Sequence, residues 1–154
     1  MATEHRNIPD PERHEPKGIT SAQSGQVYRS DGSASGAWKD DLLIISGTIE
    51  DVSTASSIII PIPVDCTIVS FKAVLGGAIT VADANITVTR GGGATVASFI
   101  IPYSGSAEGA TVNATPSGNA AFLANTHNYL KIATDGGSTD TATLAVTVKV
   151  KVTE

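Results

Sequence analysis

A single cysteine, Cys66, occurs in the chain, so no internal disulfide can form and a disulfide-stapled secreted scaffold is excluded. Aromatic residues are scarce: one Trp, three Tyr and three Phe. Little material exists for the exposed aromatic platforms on which sugars are usually bound, so sequence support for a glycan-binding module is poor. Positive charge is sparse and scattered, with ten Lys and Arg against fifteen Asp and Glu and a formal charge of −5. Phosphate backbones and anionic membrane surfaces are held by clustered cations, so neither nucleic acid nor a membrane is an expected partner. No apolar run approaches the ~20 residues of a membrane-spanning helix. Residues 1–16 lack the apolar stretch of a secretory signal. Synthesis and folding in a reducing cytoplasm are expected, and the sequons at Asn85 and Asn113 are read as chance matches in a Thr-rich chain.

What is present is a modest apolar fraction, 41% of residues, mostly Ala, Val and Ile. Its distribution changes near Asp41. Residues 1–41 hold five Lys/Arg, seven Asp/Glu and three of the seven prolines, with Ile8, Ile19, Val27, Tyr28 and Trp38 as widely spaced apolar residues. No period of 2 or 3.6 connects these five, so the segment cannot bury a core of its own, and its prolines favour extended backbone. Residues 1–40 are therefore read as an extended arm.

Residues 41–154 alternate with period two, the signature of strands with one buried face. The clearest run is Thr141–Thr153, with Ala142, Leu144, Val146, Val148, Val150 and Val152 predicted inward. A second is Thr67–Leu75, with Val69, Phe71, Ala73 and Leu75 predicted on one face. Shorter candidates are Leu42–Val52, Ser57–Ile62, Asn85–Arg90, Thr95–Tyr103 and Tyr129–Thr134. Between them lie turn-forming clusters such as Gly76-Gly77, Gly91-Gly92-Gly93 and Asp135-Gly136-Gly137. This pattern predicts an all-β chain: a single antiparallel β-sandwich, jelly-roll-like, behind the arm. Helix is expected only as one turn near Asn119–Ala124.

No arrangement for catalysis stands out. His127 is the one histidine of the predicted sandwich, and Ser106 follows Gly105 but lacks the second glycine of a nucleophile elbow. His5 and His14 accompany Glu4, Asp10, Glu12 and Glu15 on the arm, without the folded frame that holds a zinc ion. Asp135 and Asp140 lack the ligand spacing of a calcium loop. The triple glycine is not followed by a phosphate-binding helix and reads as a hairpin tip. Cys66 reads as an apolar strand residue. The expectation is a non-enzymatic protein with no metal and no cofactor. Trp38 has two readings: an anchor for the arm's root, or a hot spot for a partner.

The first region carries a run that is unusual as a whole: Pro9-Asp10-Pro11-Glu12-Arg13-His14-Glu15-Pro16-Lys17-Gly18, then Ser24-Gly25-Gln26-Val27-Tyr28, then Ser30 to Trp38. It resembles the N-terminal segment of tailed-bacteriophage capsid decoration (cement or head-fibre-like) proteins. The stretches Ile49–Ser57, Ala73–Ala84, Pro102–Gly109 and Thr134–Thr139 look like the β-domain of the same family. No long extension follows Glu154, unlike the larger head fibres, which favours a compact knob. The resemblance implies a structural protein on the outer surface of the virion, made in the host bacterium. Its arm would dock on the major capsid protein through Ile8, Pro9, His14, Glu15, Pro16, Lys17, Gly18, Val27, Tyr28 and Trp38. A homotrimer is implied, with a dimer as runner-up, and weak contact with host-surface glycans as a secondary role. A tail, baseplate or fibre component and a glycan-binding sandwich are the alternatives.

Overall fold

The structure, a computed structural model, describes residues 22–30 and 36–153. The chain divides into two units, Met1–Asp41 and Leu42–Glu154. No helix occurs among the described residues.

In the first unit, β1 (Gln26–Ser30) and β2 (Gly36–Asp40) pair antiparallel, from Gln26↔Asp40 to Ser30↔Gly36. Within the segment read as an extended arm, Gln26–Ser30 and Gly36–Asp40 thus form a hairpin. Two five-residue strands hold too few apolar side chains to show a period, which is why alternation missed them.

Among its described residues the second unit contains nine strands: β3 (Leu42–Ile49), β4 (Ser56–Pro61), β5 (Cys66–Leu75), β6 (Ala84–Arg90), β7 (Thr95–Ile101), β8 (Thr111–Ala114), β9 (Ala121–Phe122), β10 (Tyr129–Thr134) and β11 (Leu144–Val152). One sheet has the order β3-β11-β5-β8, with β9 also on β5; the other runs β4-β10-β6-β7. All pairs are antiparallel. Only β6–β7 and the short β8–β9 pieces remain within one sheet; every other connection crosses the sandwich. With β8 and β9 sharing one place, this is the eight-position winding of a jelly roll. Successive loops then alternate between the two ends of the sandwich. The β3–β4, β5–β6, β7–β8 and β10–β11 loops share one end.

The alternation in β11 has the expected origin. Leu144, Val146, Val148 and Val150 are buried between the sheets, with Ala142 ahead of them. Each such Leu or Val burial is worth about 1.5–3 kcal/mol before cavity effects. Val152 is only half-buried. In β5 the phase shifts: Lys149 pairs with Ser70 but Val150 with Ile68, leaving Val69 as the extra residue of a bulge. Ile68 is buried and Val69 is 39% exposed, the reverse of the predicted face. A one-residue insertion inverts the face beyond it. At the margin between the sheets, a Cβ on Gly47 would lie 2.6 Å from Ile58 Cδ1. Its absence lets β3 and β4 approach closely.

The predicted turn of helix at Asn119–Ala124 is not formed; Ala121–Phe122 instead pairs with Thr67 and Cys66 as β9. A turn follows, closed by the amide of His127 on the Leu123 carbonyl at 2.7 Å. The triple glycine is the β6–β7 tip, with Gly92 at φ 89° and Gly93 at φ 85°, a conformation in which glycine alone carries no Cβ penalty.

Candidate functional site

Of the residues assigned to docking, Ile8, Pro9, His14, Glu15, Pro16, Lys17 and Gly18 lie outside the described residues. The other three are in the hairpin, where the pleat separates them. Tyr28 and Trp38 are directly opposite each other, with ring centroids 5.4 Å apart and planes at 68°, an edge-to-face pair. Such pairs add about 0.5–1.5 kcal/mol beyond area burial. Val27, paired with Lys39, points to the opposite face.

Gly36 belongs to the aromatic face by its packing. A Cβ there would overlap the Arg29 carbonyl oxygen and stand 2.9 Å from two ring carbons of Tyr28. The Tyr28 ring thus covers the glycine two positions from its own partner, an arrangement known to support glycine in strands. The open end of the hairpin is tied by the Asp41 amide on the Gly25 carbonyl at 2.8 Å, with Gly25 at φ 72°. Sequence reasoning chose Tyr28 and Trp38 but passed over Gly36, whose role appears only when β1 and β2 are paired.

In the sandwich, the residues weighed for chemistry serve as loop supports. Ser106 donates from Oγ to the Ile79 carbonyl at 2.6 Å and accepts from the Ile79 amide at 2.9 Å. His127 Nδ1 accepts from the Leu123 amide at 3.2 Å, and its ring stands edge-on to Phe122. Ser106 is in the β7–β8 loop and His127 in the β9–β10 loop, so the winding puts them at opposite ends. Cys66 is buried in the core, and desolvation, followed by the nearby Asp65 charge, pushes its thiol up to about 11. A thiol so raised is a poor nucleophile near neutral pH.

The end formed by the β3–β4, β5–β6, β7–β8 and β10–β11 loops holds Glu50, Asp51, Asp83, Glu108, Asp135 and Asp140, with no Lys, Arg or His in those loops. Four of these carboxylates bind loop backbone. Asp51 accepts from the Ser53 amide at 2.8 Å and hydroxyl at 2.7 Å. Asp83 accepts from the Tyr103 amide at 2.9 Å. Asp135 accepts from Asn85 Nδ2 at 2.6 Å and from the Gly137 amide at 3.0 Å. Asp140 accepts from the Thr80 amide and from its hydroxyl at 2.8 Å.

These bonds favour the ionised form. The Ser53 hydroxyl foremost holds Asp51 below its ordinary value, the Asn85 side chain does so for Asp135, and the Thr80 amide for Asp140. Asp135 is thereby committed to Asn85 of β6 and Asp140 to Thr80 of the β5–β6 loop, and no group of three or more metal-ligating side chains occurs among the described residues.

The apolar stretch Ile58–Ile62, part of the candidate strand Ser57–Ile62, is divided by the pleat. Ile60 and Ile62 belong to the core, while Ile59 is 62% exposed opposite Lys131.

No family model matches the chain, and no curated protein matches it. Among solved structures, the infectious bursal disease virus VP2 subviral particle aligns at 12% identity over 80% of this chain and 46% of that one, with a TM-score of 0.18. The infectious bursal disease virus Gx strain aligns at 10% identity over 79% and 44%, with a TM-score of 0.20. The chain spans less than half the length of these neighbours. Likeness at this level carries no functional argument.

Proposed function

We propose that the chain is a structural virion protein that decorates the outer surface of a tailed-phage capsid, docking through residues 1–40 on the major capsid protein. The observation that carries this reading is the sequence run from Pro9 to Trp38. Its resemblance to the decoration family covers the segment that ends in the Tyr28–Trp38 pair. Two features support it. The division at Asp41 separates a short docking element from a sandwich able to bury its own core. Asp51, Asp83, Asp135, Asp140, Ser106 and His127 are engaged in holding loops, which suits a structural, non-enzymatic role.

Fully extended, the 25 residues ahead of β1 would reach about 80 Å at roughly 3.3 Å each, far enough to cross subunit boundaries on a shell. Contacts that exist only on the assembled lattice would make docking selective for it, and repetition over many equivalent sites strengthens retention. A homotrimer fits the local threefold axes of an icosahedral shell.

The test is co-sedimentation with expanded, undecorated heads, comparing the full chain with one lacking residues 1–40 and with a Tyr28→Ala/Trp38→Ala variant. Pelleting of the full chain near lattice stoichiometry, with both variants left in solution, is the expected result. Should the full chain fail to pellet, the decoration reading is abandoned in favour of a tail component.

A further inference from the structure

Among the described residues of the sandwich, β3, β4, β7 and β8 are edge strands. Natural edges are protected from further pairing by short length, proline, bulges or charge. β4 contains Pro61, whose nitrogen has no proton to donate, and Pro63 follows it. β7 runs into Pro102 and is bulged, since Val88 pairs with Ala97 but Thr89 with Thr95. β8 is only four residues long. β3 differs from all three. It has eight residues, none of them proline or charged, and an unbroken register on β11. Its free edge carries none of the usual protections.

The first half of that edge is apolar on both faces. Leu43 is on the core face, opposite Val150, yet is 41% exposed; Ile44 is on the outer face, opposite Lys149, and is 62% exposed. Ile45 is half-buried. The second half is closed, because Gly47 lies against Ile58 and Ile60 of β4 and Ile49 is buried. Every second residue of an antiparallel strand turns its amide and carbonyl to the free side. Over Leu42–Ser46 that row is matched by the backbone of another extended polypeptide. Charge decides which polypeptide. Asp40-Asp41 precede the strand and Glu50-Asp51 follow it. A second copy laid antiparallel along the whole of β3 would set Asp41 opposite Glu50 and Asp40 opposite Asp51. Like charges so placed are destabilising.

We propose that the β3 edge accepts an extended segment of another protein as a new edge strand, apolar at alternate positions and carrying Lys or Arg at its ends. Its backbone pairs with Leu42–Ser46. Its apolar side chains cover Leu43 on the core side and Ile44 on the outer side, and its basic ends meet the carboxylates that bracket β3. The inference goes beyond the proposed function and does not depend on it, since the surface belongs to the sandwich and not to residues 1–40.

The test uses the full chain, isotopically labelled, with shifts and amide hydrogen exchange followed by two-dimensional NMR. The probes are a strand-length peptide of alternating Val and Thr with Lys at both ends, its counterpart with Glu at both ends, and the Lys-ended peptide N-methylated throughout. New protection of alternate amides within Leu42–Ser46 is expected with the Lys-ended peptide. It should bind about tenfold tighter than the Glu-ended one, and the N-methylated peptide should not bind. Ile44→Lys puts a charge on the edge and should weaken binding about tenfold. Its side chain is exposed, so the sandwich melting transition should be kept. Ile59→Lys, at an equally exposed site on β4, should leave binding unchanged. Absence of protection in β3 with the Lys-ended peptide overturns the proposal. So does equal binding of either other peptide, or binding unaffected by Ile44→Lys. Protection of β3 that grows with protein concentration alone also overturns it, because the edge would then be a contact between copies.

Discussion

The sandwich and the hairpin are both antiparallel β-structure, yet their order comes from different sources. In the sandwich, side chains such as Phe71, Leu130, Ile132 and Leu144 are almost wholly withdrawn from water, and two sheets share the cost of ordering the backbone. In the hairpin, order rests on the Tyr28–Trp38 pair and on the Tyr28 ring over Gly36. A two-stranded ribbon of this kind is marginal by itself in water. The contrast suits a molecule with one part that persists and one that is completed by what it binds. Trp38, the only tryptophan, makes the two parts separately observable: its fluorescence reports on the hairpin, and far-ultraviolet circular dichroism is dominated by the sandwich.

The largest effect is expected from Leu144→Ala, which empties a fully buried site between the sheets. A loss of about 2–5 kcal/mol in denaturant unfolding followed by circular dichroism is expected. The Trp38 emission of the folded protein should stay unchanged. If it changes as much as after a hairpin substitution, the two units do not differ in the way described.

Gly36→Val ranks next. The new Cβ meets the Arg29 carbonyl and the Tyr28 ring, an overpacking that costs about 1–3 kcal/mol. Loss of the ring-current shifts between Tyr28 and Trp38, with an unchanged sandwich transition, would sharpen the comparison. Tyr28→Ala should cost the hairpin less, about 0.5–1.5 kcal/mol for the aromatic pair, read from Trp38 emission and from the rate of proteolysis between residues 30 and 36.

The smallest effect concerns acid. The carboxyls of Asp51, Asp135 and Asp140 titrate in the folded sandwich below their ordinary value of 3.8. The unfolded chain therefore binds protons first as pH falls. Their stabilisation is complete above about pH 5 and is lost progressively as pH drops through the depressed values. Asp140→Asn should flatten the fall in sandwich melting temperature between about pH 4 and pH 2, and the hairpin signal should not follow it. An unaltered pH profile would remove Asp140 from the loop-holding role.

Much of the sandwich was legible because alternation is a local property. Leu144 to Val150 repeat every second residue, and the pleat alone sends them to one side. The triple glycine at the β6–β7 tip and the turn at Asp135-Gly136-Gly137 were legible for the same reason, since turn chemistry acts over a few residues. The hairpin was not. Tyr28 and Trp38 are ten positions apart, and neither strand contains enough apolar residues to announce itself. The bulge at Val69 was also hidden, because only the pairing of β5 with β11 shows that Ser70 and Ile68 face consecutive residues of β11. Amino-acid order by itself determined that this chain is all-β, rich in tight turns, acidic overall and of different character on either side of Asp41. Tertiary structure alone decided the jelly-roll winding and the collection of six carboxylates at one end. Each of these depends on which strands become neighbours, and that choice is made by long-range burial rather than by any local preference.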